Sequence, residues 1–305
     1  MKCKRCLEPG IIDIRRHNAS FCGDCFLHYC KEQVRKTIKE HSMIFDGEKV
    51  LVAVSGGKDS LALWDILLEL GYEVDGLYLA LGIGQYSQDS HAMALKYAQS
   101  KSLKLIEKDV QQALGFSISD SPRIVKRAPC SACGTSKRHF FNSVALENNY
   151  DVVATGHNLD DEAAVLMGNV LRWDLSSLSR QSPCLAAGNG FVRKIKPLVR
   201  LSEREMAAYC IIKGIDYIVQ ECPMSKGNRH IGLKEALNAI EDRSPGTKSA
   251  FYLGFLSKAL DSFKQEENFD FTTLQPCKVC KSPTPSELCA FCRLSKKGPS
   301  VVNNR

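Results

Sequence analysis

Five Cys-x-x-Cys pairs constrain this chain more than any other feature: Cys3/Cys6, Cys22/Cys25, Cys130/Cys133, Cys277/Cys280 and Cys289/Cys292. They account for ten of its 14 cysteines; two pairs stand near each terminus and one in the middle of 305 residues. A secreted chain could carry so many cysteines as disulfides. The opening Met1-Lys2-Cys3-Lys4-Arg5-Cys6, however, has charge without the apolar stretch of an export signal. Paired spacing without export points to reduced thiolates holding metals in a cytoplasmic protein. The outer quartets read C-x2-C-x15-C-x2-C and C-x2-C-x8-C-x2-C, so that in each case two tight turns offer four thiolates to one tetrahedral Zn²⁺. We therefore expect one zinc at Cys3, Cys6, Cys22 and Cys25 and a second at Cys277, Cys280, Cys289 and Cys292. Both segments are too poor in apolar residues to fold without such a staple, which makes both zincs structural.

Basic residues flank both modules: Lys2, Lys4, Arg5, Arg15 and Arg16 at one end, Lys278, Lys281, Arg293, Lys296 and Lys297 at the other. Such surfaces suit phosphate contacts, and they equally suit a plain solvated face. The net charge of +7 leans toward a polyanionic partner without naming one. No apolar run approaches the roughly 20 residues of a membrane span.

The central pair has no second pair nearby to complete a zinc site. Cys222, in Glu221-Cys222-Pro223-Met224, follows an expected strand at Asp216–Val219, and a Cys-Pro step there fits a cluster ligand. Cys30 and Cys210 follow tyrosines in helical stretches and read as packing residues. Cys184 is isolated.

Outside the cysteines, the strongest signal is the apolar run Val50–Val54 followed by Ser55-Gly56-Gly57-Lys58-Asp59-Ser60 and a helical stretch Leu61–Leu70. A strand entering a glycine-rich turn and then a helix presents free backbone N–H groups to phosphate. The string lacks the Walker A spacing. Further strands are expected at Val74–Leu81, Leu103–Val110 and Val152–Thr155, and helices at Lys31–His41, His91–Ser100, Thr135–Asn148 and Asp160–Leu171. That alternation predicts an α/β fold, a parallel sheet with helices on both faces, with ligands at the carboxyl ends of its strands. Ala53, Leu79 and Gly156 fall there, placed to bracket adenine and ribose. Ser202–Lys213 and Lys234–Leu260 read as helical extensions and Glu266–Gln275 as a linker. The expected division is residues 1–30, 31–265 and 266–305: zinc module, nucleotide domain, zinc ribbon.

Ser55–Ser60 resembles the pyrophosphate loop of the ATP pyrophosphatases (PP-loop enzymes), which cleave ATP between its α and β phosphates. Pro129–Arg138 resembles the central cysteine motif of tRNA 2-thiolation enzymes, and Ala154–Ala163 their second nucleotide motif. Ser225–Arg229 and Ser244–Leu256 are similar to their C-terminal region, and the resemblance, greatest to the TtuA type, runs from Cys3 to Leu294. Some relatives place His at the fourth N-terminal ligand; Cys25 keeps the site intact.

The resemblance implies an enzyme that adenylates O2 of a tRNA uridine, the T-loop 5-methyluridine, and replaces that oxygen with sulfur, releasing AMP and pyrophosphate. It implies ATP at Ala53, Ser55, Gly56, Gly57, Lys58, Asp59, Ser60, Leu79, Lys137 and Gly156. Asp59 and Asp161 would face Mg²⁺, and Lys137 the α-phosphate. Asp59 also suits a helix N-terminus without any metal. Two readings of Cys130, Cys133 and Cys222 stay open: three ligands to a [4Fe-4S] cluster with one iron left free, or a persulfide carrier resolved by a second cysteine. The resemblance favours the cluster. It further implies a homodimer and a sulfur donor that is either a small carrier protein with a C-terminal thiocarboxylate or free sulfide. Wobble-uridine thiolation is the nearest alternative. A non-catalytic zinc-ribbon RNA-binding protein fits poorly with an intact loop, Lys137, Asp161 and the triad, and an ATP-dependent amide or lysine ligase would need no triad.

Overall fold

The computed structural model describes residues 1–225, 229–266 and 274–295. In the N-terminal module, β1 (Ile12–Ile14) and β2 (Ala19–Phe21) pair antiparallel and lead into α1 (Gly23–Glu40). The central region runs β3 (Lys49–Val54), α2 (Lys58–Glu69), β4 (Glu73–Ala80), α3 (Gly84–Ser100), β5 (Leu105–Asp109), the short α4 (Val110–Leu114) and α5 (Ser121–Ile124), then α6 (Pro129–Glu147), β6 (Val152–Thr155) and α7 (Leu159–Arg172). It continues with α8 (Leu175–Leu178), β7 (Cys184–Leu185), β8 (Arg193–Ile195), α9 (Glu203–Lys213), α10 (Arg229–Arg243), α11 (Thr247–Lys258) and α12 (Leu260–Glu266). The C-terminal module holds β9 (Gln275–Pro276), β10 (Pro283–Thr284) and α13 (Ala290–Ser295).

Among the described residues the main sheet has six strands in the order β5-β4-β3-β6-β8-β7, all parallel except β7, which pairs antiparallel with β8. The chain leaves β3 toward β4 and β5 and returns to the other side of β3 as β6. That reversal opens a crevice beyond the carboxyl ends of β3 and β6, where this architecture binds ligands. Side chains alternate across the strands. Val50, Val52, Val54, Val152 and Ala154 face a core shared with α1, α2, α3 and α9. Leu51, Leu77, Leu79 and Val153 face a second core closed by α4, α6 and α13. A third cluster joins α7 to α10, α11 and α12 through Ala163, Leu166, Leu237, Tyr252 and Phe255.

Both outer modules share these cores. Ile14 and Phe26 enter the first, and Cys277, Phe291, Cys292 and Leu294 the second. The Phe291 ring stacks on His139 of α6, with ring centroids 4.1 Å apart. At the other end, both oxygens of Glu205 in α9 accept from Arg16 at 2.8 Å, a nearly buried ion pair. Cys30 and Cys210 are fully buried, as packing residues should be.

Several elements depart from the sequence-based expectation. Asp216–Val219 is no strand; it is irregular chain whose Ile218 N–H donates to the Gly56 carbonyl at 2.9 Å, so its backbone serves the loop rather than the sheet. α6 begins at Pro129, well ahead of Thr135, because proline needs no N–H partner in a first turn. α1 begins at Gly23, so the expected boundary at residue 30 falls inside a continuous helix. The stretch Lys234–Leu260 is divided between α10, α11 and α12; Ser244-Pro245-Gly246, with Gly246 at φ 100°, ends the first. β5 starts at Leu105 because the Leu103 N–H is taken by Ala98 at the end of α3. Residues 267–273 of the expected linker, and Lys296 and Lys297, lie outside the described residues.

Candidate active site

The Ser55–Ser60 loop follows β3 and opens α2. Ser60 Oγ accepts from the Ser55 N–H at 3.1 Å and donates to the Gly57 carbonyl at 3.0 Å, which closes the turn on itself. Gly56 has φ 73°, and a Cβ there would collide with the Ser90 carbonyl of α3. Gly156, at the end of β6, would place a Cβ 2.9 Å from the backbone of Asp59 and Ser60. The two strand ends therefore meet without side chains between them, and the first turn of α2 presents its free N–H groups beside the crevice.

A cleft of about 580 Å³ opens there. Ala53, Ser55, Gly57, Asp59 and Ser60 line it from β3 and the loop, Leu79 from β4, Thr155 from β6, Gly156 and His157 from the segment after it, and Cys130, Cys133 and Lys137 from α6. Cys222 completes this lining, with Met224 and Ser225, from the segment after α9. α6 carries Cys130, Cys133 and Lys137 at spacings of three and four residues, which put all three on one helical face. The Cys222 carbonyl accepts from the N–H and Oγ of Ser225, at 2.9 and 2.7 Å, and the Cys130 thiol donates to the Met224 carbonyl at 3.3 Å. This turn carries the third cysteine to the start of α6 across 88 intervening residues from Cys133.

Lys58, Gly56 and Asp161 do not line the cleft. The Lys58 ammonium is 2.7 Å from Glu203 and 3.3 Å from Asp59. Asp161 forms a capping box with Asn158 at the start of α7 and lies 2.5 Å from Lys234. Asn158 also donates to Asp59 at 2.9 Å. Burial pushes the Asp59 carboxyl up, with Lys58 and Asn158 pulling it back and Asp161 adding to the rise. Burial works against the Lys58 charge, but Asp59 and Glu203 outweigh it and hold the ammonium above its usual value. The result is an acidic group around Asp59, balanced by two lysines.

Glu203, Lys234 and Asn158 were not singled out from sequence. The Asn158-Leu159-Asp160-Asp161 spacing is a capping-box signal that could have exposed Asn158. No local pattern brings Glu203 and Lys234 to it, since they come from other helices. Asp160, in the same motif, pairs with the buried Lys248 and accepts from the Glu203 N–H at 2.8 Å.

The outer cysteines behave differently. In each tetrad, Cys3/Cys6/Cys22/Cys25 and Cys277/Cys280/Cys289/Cys292, all four sulfurs lie within 4.8 Å of one another. Burial opposes the Cys3 thiolate, but backbone N–H groups of Cys22, Cys6 and Arg5 bring its pKa to about 6. Cys277 also falls to about 6, as the N–H groups of Cys280, Cys289 and Val279 outweigh its burial. Cys25 is pushed up to about 12 by burial and then by its neighbouring thiols, and Cys292 is raised for the same reasons. The spacing of four sulfurs in each tetrad suits one soft metal ion. Cys130, Cys133 and Cys222 are not drawn to that single-ion distance. Three sulfurs set wider around an open cleft, Cys130 exposed and the other two half-buried, suit a larger multi-iron group.

Residues 27–227 match the PP-loop domain family, and residues 2–27 match the N-terminal LIM domain of the 2-thiouridine synthetase TtuA. The chain is 44% identical over 294 residues to the tRNA-5-methyluridine(54) 2-sulfurtransferase of Thermus thermophilus, covering 96% of this chain and 91% of that one. It is 39% identical over 299 residues to the protein of the same name from Thermotoga maritima, covering 97% of each. Among solved structures, the U34-tRNA thiolase NcsA from Methanococcus maripaludis with its [4Fe-4S] cluster superposes with a TM-score of 0.83 at 27% identity, over 98% of this chain and 97% of that one.

Proposed function

The chain belongs to the PP-loop family, among its tRNA 2-sulfurtransferases, and from that premise we propose that it uses ATP to replace O2 of a tRNA uridine with sulfur, the T-loop 5-methyluridine being the target. One observation carries this reading: a single cleft is lined by the phosphate loop, by Lys137 and by all three of Cys130, Cys133 and Cys222.

Oxide is a poor leaving group from a pyrimidine, whereas AMP is a good one, so adenylation must precede sulfur transfer. The N–H groups at the start of α2 hold the leaving phosphates. Lys137 meets charge building on the α-phosphate. Asp59 takes the Mg²⁺ side, with Asp161 behind it and Lys58 and Lys234 balancing both. Cys130, Cys133 and Cys222 would hold a [4Fe-4S] cluster, which would supply the chemistry of sulfur delivery. The outer tetrads hold one Zn²⁺ each and belong to the folding of residues 1–30 and 266–305 around the central 31–265.

The tRNA backbone meets the exposed Lys2, Lys4 and Arg5 of the N-terminal module. Sulfur arrives from a carrier thiocarboxylate or as free sulfide, the enzyme works as a homodimer, and it resides in the cytoplasm, where its free cysteines stay reduced. Among the described residues no helix is long and apolar enough to cross a membrane.

The likeness to a U34 thiolase supports wobble-uridine thiolation as the second reading. Nucleoside mass spectrometry of tRNA separates the two, using a strain lacking the T-loop thiolase and complemented with this chain. Return of 2-thio-5-methyluridine supports the first, a gain in wobble thiouridine the second, and no new thionucleoside would sink both.

A further inference from the structure

Adenylation of a uracil leaves a proton to be placed. The ring is neutral with hydrogen on N3, and when O2 bonds to phosphorus the ring stays neutral only if that hydrogen departs. The titratable side chains lining the cleft are Asp59, Tyr78, Tyr86, the three cysteines, Lys137 and His157. Asp59 is held by Lys58 and Asn158. Tyr78 donates to the Ser87 carbonyl, and burial raises both tyrosines, so neither offers a free basic oxygen. Lys137 is committed to phosphate and the cysteines to sulfur chemistry. His157 remains.

Its setting is that of an oriented base. His157 follows β6 directly, beside Gly156 and across the crevice from the phosphate loop. Its Nδ1 lies 2.8 Å from Thr155 Oγ1, and Thr155 Oγ1 lies 3.4 Å from the Ile195 carbonyl of β8. A carbonyl only accepts, so the arrangement that uses both contacts has the Thr155 hydroxyl donating to Ile195 and accepting from Nδ1–H. Nε2 is then the nitrogen with a free lone pair.

Resting on the sulfurtransferase reading above, we infer that His157 is the general base of the adenylation step, taking the N3 proton of the target uridine on Nε2. As O2 bonds to the α-phosphorus, the bond from that phosphorus to the bridging oxygen of pyrophosphate breaks and pyrophosphate leaves with the electron pair. The N3–H bond breaks at the same time, its electrons form the double bond between N3 and C2, the C2=O2 π pair moves onto O2 as the O2–P bond forms, and the proton resides on the imidazole. The groups around the ring keep it neutral before the step. The ring reaches solvent at the mouth of the cleft; the surrounding walls still push its pKa down, Lys196 and Lys137 add to this, and Glu162 and Asp161 oppose it. The Lys196 charge is itself engaged by Glu162 at 2.8 Å.

The test is tRNA-dependent pyrophosphate release in single turnover, with fully metal-loaded enzyme under anaerobic conditions, across pH. His157→Asn keeps an amide N–H for Thr155 and removes Nε2. The expected result is a fall of about 10²–10³-fold near neutral pH, the usual reach of a general base, with ATP affinity and iron and zinc content unchanged. The wild-type rate should level off above the imidazole pKa, whereas the variant should keep climbing about tenfold per pH unit as hydroxide replaces the base. Thr155→Val, which frees the ring but keeps it, should give a smaller loss with the plateau retained. A His157→Asn rate within about threefold of wild type, with the same plateau, overturns the inference. So does a loss that merely follows weakened ATP binding. Wild type that releases no pyrophosphate in response to tRNA instead overturns the sulfurtransferase reading, and this inference with it.

Discussion

The outer tetrads and the central triad are built from the same residue and differ in how they are held. Each tetrad gathers its four sulfurs within 4.8 Å from turns close in sequence, and its backbone N–H groups already favour one thiolate. The triad draws Cys130 and Cys133 from the first turn of α6 and Cys222 from a turn after α9, and it faces a cleft shared with a phosphate loop. The first arrangement is closed on itself, its sulfurs at the spacing one metal ion would need. The second keeps an open side, which a site needs when something must reach the metal.

The sharpest way to break this comparison is to remove one cysteine of each kind. Cys277→Ser should cost one zinc and, because Cys277 is in the core under the sheet, lower the melting temperature by roughly 10 °C or more. Cys222→Ser should leave both zincs and shift the melting temperature by only about 2 °C, while iron is lost and thiolation falls by more than about 100-fold. Metal analysis beside thermal melts reads both. If Cys222→Ser melts as early as Cys277→Ser and also loses zinc, the division between folding and working cysteines is wrong.

Smaller changes sharpen the working half. Lys137→Ala should lower the adenylation rate by about 10²–10³-fold with metal content unchanged, as measured by pyrophosphate release. Gly156→Ala should weaken ATP binding by about tenfold, seen by calorimetry, since its Cβ would press on the backbone of Asp59 and Ser60. Unaltered ATP affinity would mean that the strand-end contact does not shape the loop.

The smallest effect concerns Glu203. Burial works against its charge, but Lys58 and Lys234 overcome this and hold its carboxyl below the ordinary value of 4.5. Its contribution to stability is therefore present above about pH 4.5 and lost as pH falls through the depressed value. Lys58 lies above its ordinary 10.5, so its share is present below that pH and fades as pH rises through the raised value. Glu203→Gln should cost under about 1 kcal/mol between those limits, with the difference from wild type vanishing in acid, as thermal melts against pH would show.

What could be read in the sequence followed the range of the interactions. The tetrads, the Ser55–Ser60 loop and the strands flanking it rest on neighbours a few residues apart, and their spacing made them visible. Cys222 could be grouped with Cys130 only through resemblance, because no local pattern spans that distance. The segment Asp216–Val219 looked like a strand from its composition, yet its backbone partner is Gly56, a contact no periodicity encodes. Glu203 and Lys234 went unnoticed for the same reason: each is an ordinary charged residue on its own helix until three helices meet at Asp59. The start of α6 was placed at Thr135, so the helical setting of Cys130 and Cys133 was missed although Pro129 is a first-turn signal.

The stacking of Phe291 on His139 has a consequence for how the protein is made. α6 carries Cys130 and Cys133 on one side and is backed on the other by residues of α13. During synthesis the catalytic helix is fully translated long before its backing emerges from the ribosome. The second core cannot close until Cys277, Phe291 and Leu294 arrive. A chain cut short before α13 thus keeps the whole lining of the cleft and still leaves one face of its sheet open to water and to proteases.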